Sequence, residues 1–166
     1  YEKNLKNKFK NVNILFLYGT NIGLVDLIYK KTIKTLEIDT NDPFSVSKLD
    51  GDEFKDNPSI LYDNANTLNV FSGKRFVLLD LTHISINKKL ENIILETVNI
   101  KSNNYLLIIR AANIKINSFI KHLQDINNAI IVPCYEEKID TINSKLYDLF
   151  SKHNINFKRE NVRNLT

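Results

Sequence analysis

Residues 17–26, LYGTNIGLVD, set two glycines, Gly19 and Gly23, between an apolar run and a helical pattern. A glycine turn at that place is where nucleotide-binding α/β domains cradle phosphate, in the form G-x-x-x-x-G-K-[ST], with backbone amides on the phosphates and the lysine on the outer ones. Here the glycines are one residue too close, and Val25 and Asp26 stand where Lys and Ser/Thr are needed. Losing the lysine removes a charge-assisted partner, and the Asp26 carboxylate would repel phosphate. A helix N-terminus still offers amides and a dipole. We read the loop as a structural turn, a degenerate phosphate loop not expected to bind ATP. A second candidate is Asp80, ending the apolar run Val77–Leu81 in the manner of the magnesium-binding Asp of nucleotide hydrolases. The following acid that would activate water is absent, Leu81 and Thr82 standing there, so Asp80 reads as a degenerate Walker B position that caps a turn. Arg110, after the next apolar run, reads as an ordinary solvent-facing charge rather than a polar sensor. Asp50 and Asp52 flank Gly51 and read as a turn.

These residues need a scaffold, and the hydrophobic pattern supplies one. Asn13–Tyr18 is nearly continuous in apolar residues, as in a strand buried on both faces. From Asn21, a plausible N-cap, to Leu36, apolar residues Ile22, Val25, Ile28, Tyr29, Ile33 and Leu36 recur at helical spacing. Pro43–Leu49 alternates, predicting a strand nearer an edge. A helix starts near Pro58 and carries Ile60, Leu61, Ala65 and Leu68 inward; RFVLLDL, residues 75–81, reads as a central strand. A helix marked by Leu90, Ile93, Ile94 and Val98, a strand at 105–109, a helix marked by Phe119, Ile120, Leu123 and Ile126, and a strand at 129–132 complete the alternation. Strands alternating with helices predict an open, mostly parallel α/β sheet with right-handed crossovers. After Pro133 the pattern turns helical, with Ile139, Ile142, Leu146, Leu149 and Phe150 on one face, as at the start of a small helical domain.

The bulk properties agree with such a domain. The chain has 166 residues, 43% hydrophobic and 25% charged, enough for one sizeable core. No apolar stretch approaches the roughly 18 to 20 residues of a membrane span, and the basic start lacks a signal's apolar block. Tyr1 and the absence of Met suggest a chain trimmed at its start. One cysteine, Cys134, excludes an internal disulfide and fits a reducing cytoplasm; His83, His122 and His153 are too dispersed for a metal site. The net charge of +4 is interspersed, so it reads as a solvated surface rather than a nucleic-acid patch. No catalytic constellation is apparent, and the chemistry favours binding over catalysis.

One stretch is left over: Thr67–Arg75, TLNVFSGKR. Leu68, Val70 and Phe71 could close the core where helix meets strand. Residues two apart diverge on a helix, however, so if Leu68 faces inward, Val70 and Phe71 protrude. An exposed apolar pair at a helix tip is a natural plug for a partner's pocket.

The ordered set LYGTNIGLVD, DPFSVSKLDGDEF, NTLNVFSGKRFVLLD, YLLIIRAANI and AIIVPCY resembles the delta-subunit family of bacterial DNA polymerase III, the clamp-opening subunits of the clamp loader. The resemblance covers most of residues 12–150. It implies an AAA+-like (P-loop NTPase-like) five-stranded domain over residues 1–134 that lacks a working phosphate loop. It further implies the beginning of a helical lid domain over 135–166, cut short, and a collar domain absent from this chain. Family members insert an apolar pair at the helix tip into a pocket of the beta sliding clamp; the matching residues are Val70 and Phe71, with Leu68 supporting from behind. Val70 is shorter than the leucine common there, so Phe71 carries the larger share, roughly 2 to 3 kcal/mol of apolar burial. The implied partners are the clamp, the gamma/tau and delta prime subunits through the collar, and primer–template DNA within the assembly, with no membrane and no cofactor. The implied setting is a cytoplasmic nucleotidyltransferase holoenzyme to which this subunit contributes no synthesis. Two rivals stand beside this reading. A divergent P-loop ATPase would use Gly19, Gly23 and Asp80, and a phospho-acceptor regulator would use Asp80 with acids and a lysine that the sequence lacks.

Overall fold

A computed structural model of the chain describes residues 9–67, 74–100, 104–112, 114 and 117–136. The chain divides into two compact units, Tyr1–Cys134 and Tyr135–Thr166. The helical face proposed between residues 135 and 151 lies outside the described residues save for its first two positions.

The first unit holds a sheet of β1 (Ile14–Gly19), β2 (Val46–Asp50), β3 (Arg75–Leu81), β4 (Tyr105–Ala112) and β5 (Ala129–Pro133) in the order β2-β3-β4-β1-β5. Every pairing is parallel, so the sheet is wholly rather than mostly parallel. Between the strands lie α1 (Ile22–Thr35), α2 (Gly51–Asp56), α3 (Ser59–Asn66), α4 (Lys88–Val98) and α5 (Ser118–Gln124). Among the described helices, none is long and apolar enough to cross a membrane.

A parallel sheet needs cover on both faces, and period-two alternation divides the side chains between two layers. Ile14, Phe16 and Tyr18 of β1 join Val77, Leu79 and Leu81 of β3 and Tyr105, Leu107 and Ile109 of β4 in one cluster, under Leu61, Ile94 and Phe119 from the helices. Leu15, Leu17, Leu78, Leu106 and Ile108 form the other, under Val25 of α1. β1 is buried along its whole length because both faces are covered and both edges are paired.

Three details depart from the sequence pattern. The strand expected at Pro43–Leu49 begins only at Val46, since the Asp42 carboxylate accepts from the Phe44 amide at 2.9 Å and holds residues 43–45 in a turn. It is an edge strand, as its alternation predicts. Asp50–Gly51–Asp52 is not an isolated turn: Asp50 caps α2 by accepting from the Asp52 amide at 2.8 Å. That helix has six residues and one large buried anchor, Phe54, too little for a periodic signal. On α1, Ile22 is 38% exposed although the pattern placed it inward, whereas the polar Thr32 is buried with its hydroxyl donating to the Ile28 carbonyl.

Tyr105 couples packing to ionisation. It is fully buried and its hydroxyl donates to the Thr97 carbonyl at 2.7 Å, tying β4 to the end of α4. Burial, opposed by the Asn13 side chain, pushes its pKa up to about 12. A phenol whose folded pKa is raised stabilises the fold fully below its unfolded value near 10 and loses that contribution as pH climbs towards 12. Tyr105→Phe should cost about 1 kcal/mol near neutrality through the lost hydrogen bond. In urea unfolding that gap should close by about pH 11, where the unfolded wild type gains by ionising a phenol that the folded protein keeps neutral. An equal gap at both pH values would refute the coupling.

Candidate functional site

The sequence candidates converge at the carboxyl ends of β1, β3 and β4. β1 leaves the sheet at Gly19, whose φ of +145° is accessible to few residues other than glycine. A Cβ there would lie 1.9 Å from the carbonyl oxygen of Cys134. The Cys134 backbone closes over this exit on both sides: its N–H donates to the Tyr18 carbonyl at 2.6 Å, and its carbonyl accepts from the Asn21 N–H at 3.0 Å. Asn21 then caps α1, its side chain accepting from the Leu24 amide at 2.9 Å and its carbonyl from the Val25 amide at 3.1 Å. The Ile22 amide donates to the Thr20 carbonyl. The amides of Asn21, Ile22, Leu24 and Val25, which a phosphate would have to recruit, are therefore engaged within the chain.

The side chains follow the same logic. Val25, at the position where a phosphate loop needs lysine, is fully buried in the layer beneath α1. Asp26 and Tyr29, one turn apart on α1, face the sheet's charged end. Arg110 is not a solvent-facing charge. It follows Leu106 and Ile108 on the α1 face of β4 and stands in register with Asp80 of β3. Its Nη1 donates to Asp26 Oδ1 at 2.6 Å, and its Nη2 donates to Asp80 Oδ2. Its guanidinium lies over the Tyr29 ring, 4.5 Å from the centroid. Asp80 Oδ1 also accepts from the Thr82 amide at 3.0 Å and the Thr82 hydroxyl at 2.6 Å, a capping role combined with an ion pair.

The electrostatics are self-contained. Burial raises the Asp80 pKa, but the Thr82 hydrogen bonds and the charges of Arg110 and His83 outweigh it and hold the carboxyl below its ordinary value. Burial raises the Tyr29 phenol, with Arg110 pulling the other way. Two surface recesses flank the cluster, one of about 370 Å³ lined by Thr82, His83 and Glu91 and one of about 470 Å³ lined by Tyr29, Lys30, Lys34 and Lys48; neither is lined by residues 19–26. Among the described residues no group of His, Cys, Asp or Glu is arranged to hold a metal.

Leu68, Val70 and Phe71 lie outside the described residues. The chain before them is described to Thr67, past the end of α3, and resumes at Lys74. There the Lys74 ammonium donates to the Phe9 and Val12 carbonyls, each at 2.8 Å, and burial lowers its pKa. Next to it the Arg75 side chain donates to the Phe44 carbonyl at 2.8 Å and the Ser47 hydroxyl at 2.6 Å. Sequence reading missed these anchors, the Tyr29 stack and the Cys134 closure. Parity along β3 and β4 does put Asp80 and Arg110 on one face, but only the strand order makes them neighbours.

No protein-family model and no curated protein matches this sequence. Solved structures do match its fold. The DNA clamp loader delta protein of Bacillus subtilis superposes with a TM-score of 0.59 over 99% of this chain and 51% of its own, at 13% identity. The likeness is one of fold. A DNA polymerase III gamma subunit-related protein of Thermotoga maritima gives a TM-score of 0.53 over 91% of this chain and 52% of its own, also at 13% identity. The chain thus spans about half the length of each.

The two loop glycines should respond oppositely to substitution. Gly19→Ala should cost more than about 3 kcal/mol, since both the dihedral and the Cys134 backbone oppose a Cβ. Gly23→Ala should be neutral or stabilising by up to about 1 kcal/mol, because a Cβ there meets nothing closer than 3.5 Å and alanine favours the helix. Thermal denaturation of the two variants checks both; a Gly19→Ala protein as stable as wild type would contradict the closure described.

Proposed function

We propose that this chain is the amino-terminal part of a clamp-loader subunit of the delta type, a module that docks on a ring-shaped sliding clamp and favours its open interface. The observation that carries the reading is the likeness of fold to a clamp-loader delta protein along nearly the whole of this chain. The motif order in the sequence, above all LDGDEF with VFSGKR, supports it independently. The helix expected to run on to residue 72 ends at Asn66, with Thr67 already extended; on this reading Phe71 and Val70, in the segment that follows it, enter an apolar pocket of the clamp and Leu68 supports them. Lys74 and Arg75, bonded to Phe9, Val12, Phe44 and Ser47, give that segment a fixed footing at the amino end of β3. The other partners follow from the same reading: gamma/tau and delta prime subunits, joined through a collar domain beyond this chain, and primer–template DNA held by the assembly. The setting is the cytoplasmic replication machinery.

On this reading the chain neither binds nor hydrolyses ATP, which other subunits turn over. The internally bonded amides of Asn21, Ile22, Leu24 and Val25 and the buried Val25 side chain support that part. Opening a ring requires tighter binding to the open form than to the closed one, so the docking contact must be stronger where the clamp interface has parted.

The test is a binding measurement with the cognate clamp. Wild-type chain should bind, and a Val70→Ala/Phe71→Ala variant should bind roughly 30- to 150-fold more weakly, the equivalent of about 2 to 3 kcal/mol. Magnesium ATP should show no saturable binding to the isolated chain. Unchanged clamp affinity in the double variant would reject the docking site.

A further inference from the structure

A working phosphate loop holds its magnesium ion between two protein oxygens, one from the loop's Ser/Thr and one from the Asp at the end of the neighbouring strand. Both positions exist in this chain and both carry carboxylates: Asp26 on the first turns of α1 and Asp80 at the end of β3. Two carboxylates facing one another would repel and would leave α1 poorly held. The guanidinium of Arg110 lies between them, one nitrogen on each.

We propose that Arg110 is a tethered cation in place of the magnesium ion, so that the position of α1 against β3 and β4 does not depend on nucleotide or metal. Three features fit a cation site rather than a chance surface pair. Arg110 engages two carboxylates from two different elements, which a single ion pair would not do. Its flat face stacks on Tyr29, which fixes the fork's orientation as a spherical ion's ligands would fix the ion. Asp80 is itself oriented by the amide and hydroxyl of Thr82, a second layer of support of the kind that metal ligands receive. The side chain of Arg110 is only 22% exposed, so water competes weakly for it. The proposal is independent of clamp docking, which concerns the opposite ends of the strands.

The consequence is specific. Thermal unfolding of the wild-type chain should not respond to millimolar magnesium, with or without ATP. Arg110→Ala should lower Tm by about 3 to 8 °C, and magnesium should restore at least half of that loss by occupying the vacated place between the carboxylates. Adding Asp26→Asn to Arg110→Ala should abolish the magnesium response while raising the metal-free Tm. A fully neutral Asp26→Asn/Asp80→Asn/Arg110→Met variant should melt above Arg110→Ala and below wild type, and it reads the same balance if the alanine variant does not fold. The proposal is overturned if magnesium ATP raises the wild-type Tm. It is overturned equally if magnesium fails to restore Arg110→Ala, if Arg110→Ala melts like the wild type, or if the neutral variant melts no higher than Arg110→Ala, since Arg110 would then not stand in for a cation between the carboxylates.

Discussion

The arrangement depends first on how β1 leaves the sheet. β1 is paired on both edges and covered on both faces, so it offers no freedom until Gly19. At Gly19 the chain must turn within contact distance of the Cys134 backbone, which takes up the hydrogen bonds on either side of the turn. That contact also joins the exit of β1 to the end of β5, its neighbour in the sheet. The entry angle of α1 follows, and with it the placement of Val25 in the core and of Asp26 and Tyr29 over Arg110. The turn thus sets the position of a helix of fourteen residues whose first turns supply Asp26 and Tyr29 to the charge cluster.

The same residues explain how the geometry of a phosphate loop can persist without its chemistry. Strand, glycine turn and helix remain because the turn is required by close packing, not by a ligand. The chemistry has gone because four of the turn's amides, those of Asn21, Ile22, Leu24 and Val25, are used internally and the lysine position points into the core. A buried aliphatic residue at that position adds apolar stabilisation, and a charged one there would have to shed its hydration.

Much of this was readable in the sequence, and the residues show why. Strands such as RFVLLDL are buried on both faces, which produces a continuous apolar run whose limits are easy to find. The Asn21 cap and the helical spacing of Val25, Ile28 and Ile33 are local signals carried by side chains of the element itself. α2 was missed because six residues around Phe54 make no period. Arg110 was misread for a different reason: its charge is matched by Asp26 and Asp80, 84 and 30 residues away, and nothing near it in the chain announces them. Gly19 looked like half of a ligand loop because its partner is the backbone of residue 134, and a backbone contact leaves no mark on residue type. Local determinants can be read from one sequence; determinants formed by strand order cannot.

The sheet has two ends with separate duties, and β3 connects them. Its carboxyl end carries Asp80 in the Arg110 cluster; its amino end carries Arg75, bonded to the segment that enters β2, directly after Lys74. Between the two, Val77, Leu78 and Leu79 are packed into the core and leave little room for relative movement. A segment that docks through residues 68–71 would therefore be mounted on a strand that is fixed at both ends. A ligand can shift an equilibrium only by its difference in affinity for two states. On the docking proposed above, a rigid mount would place that difference in the shape of the ring, open or closed, rather than in this chain. On that same proposal, a chain that presents its plug on a fixed base and keeps its own charge cluster satisfied needs no nucleotide to hold its shape.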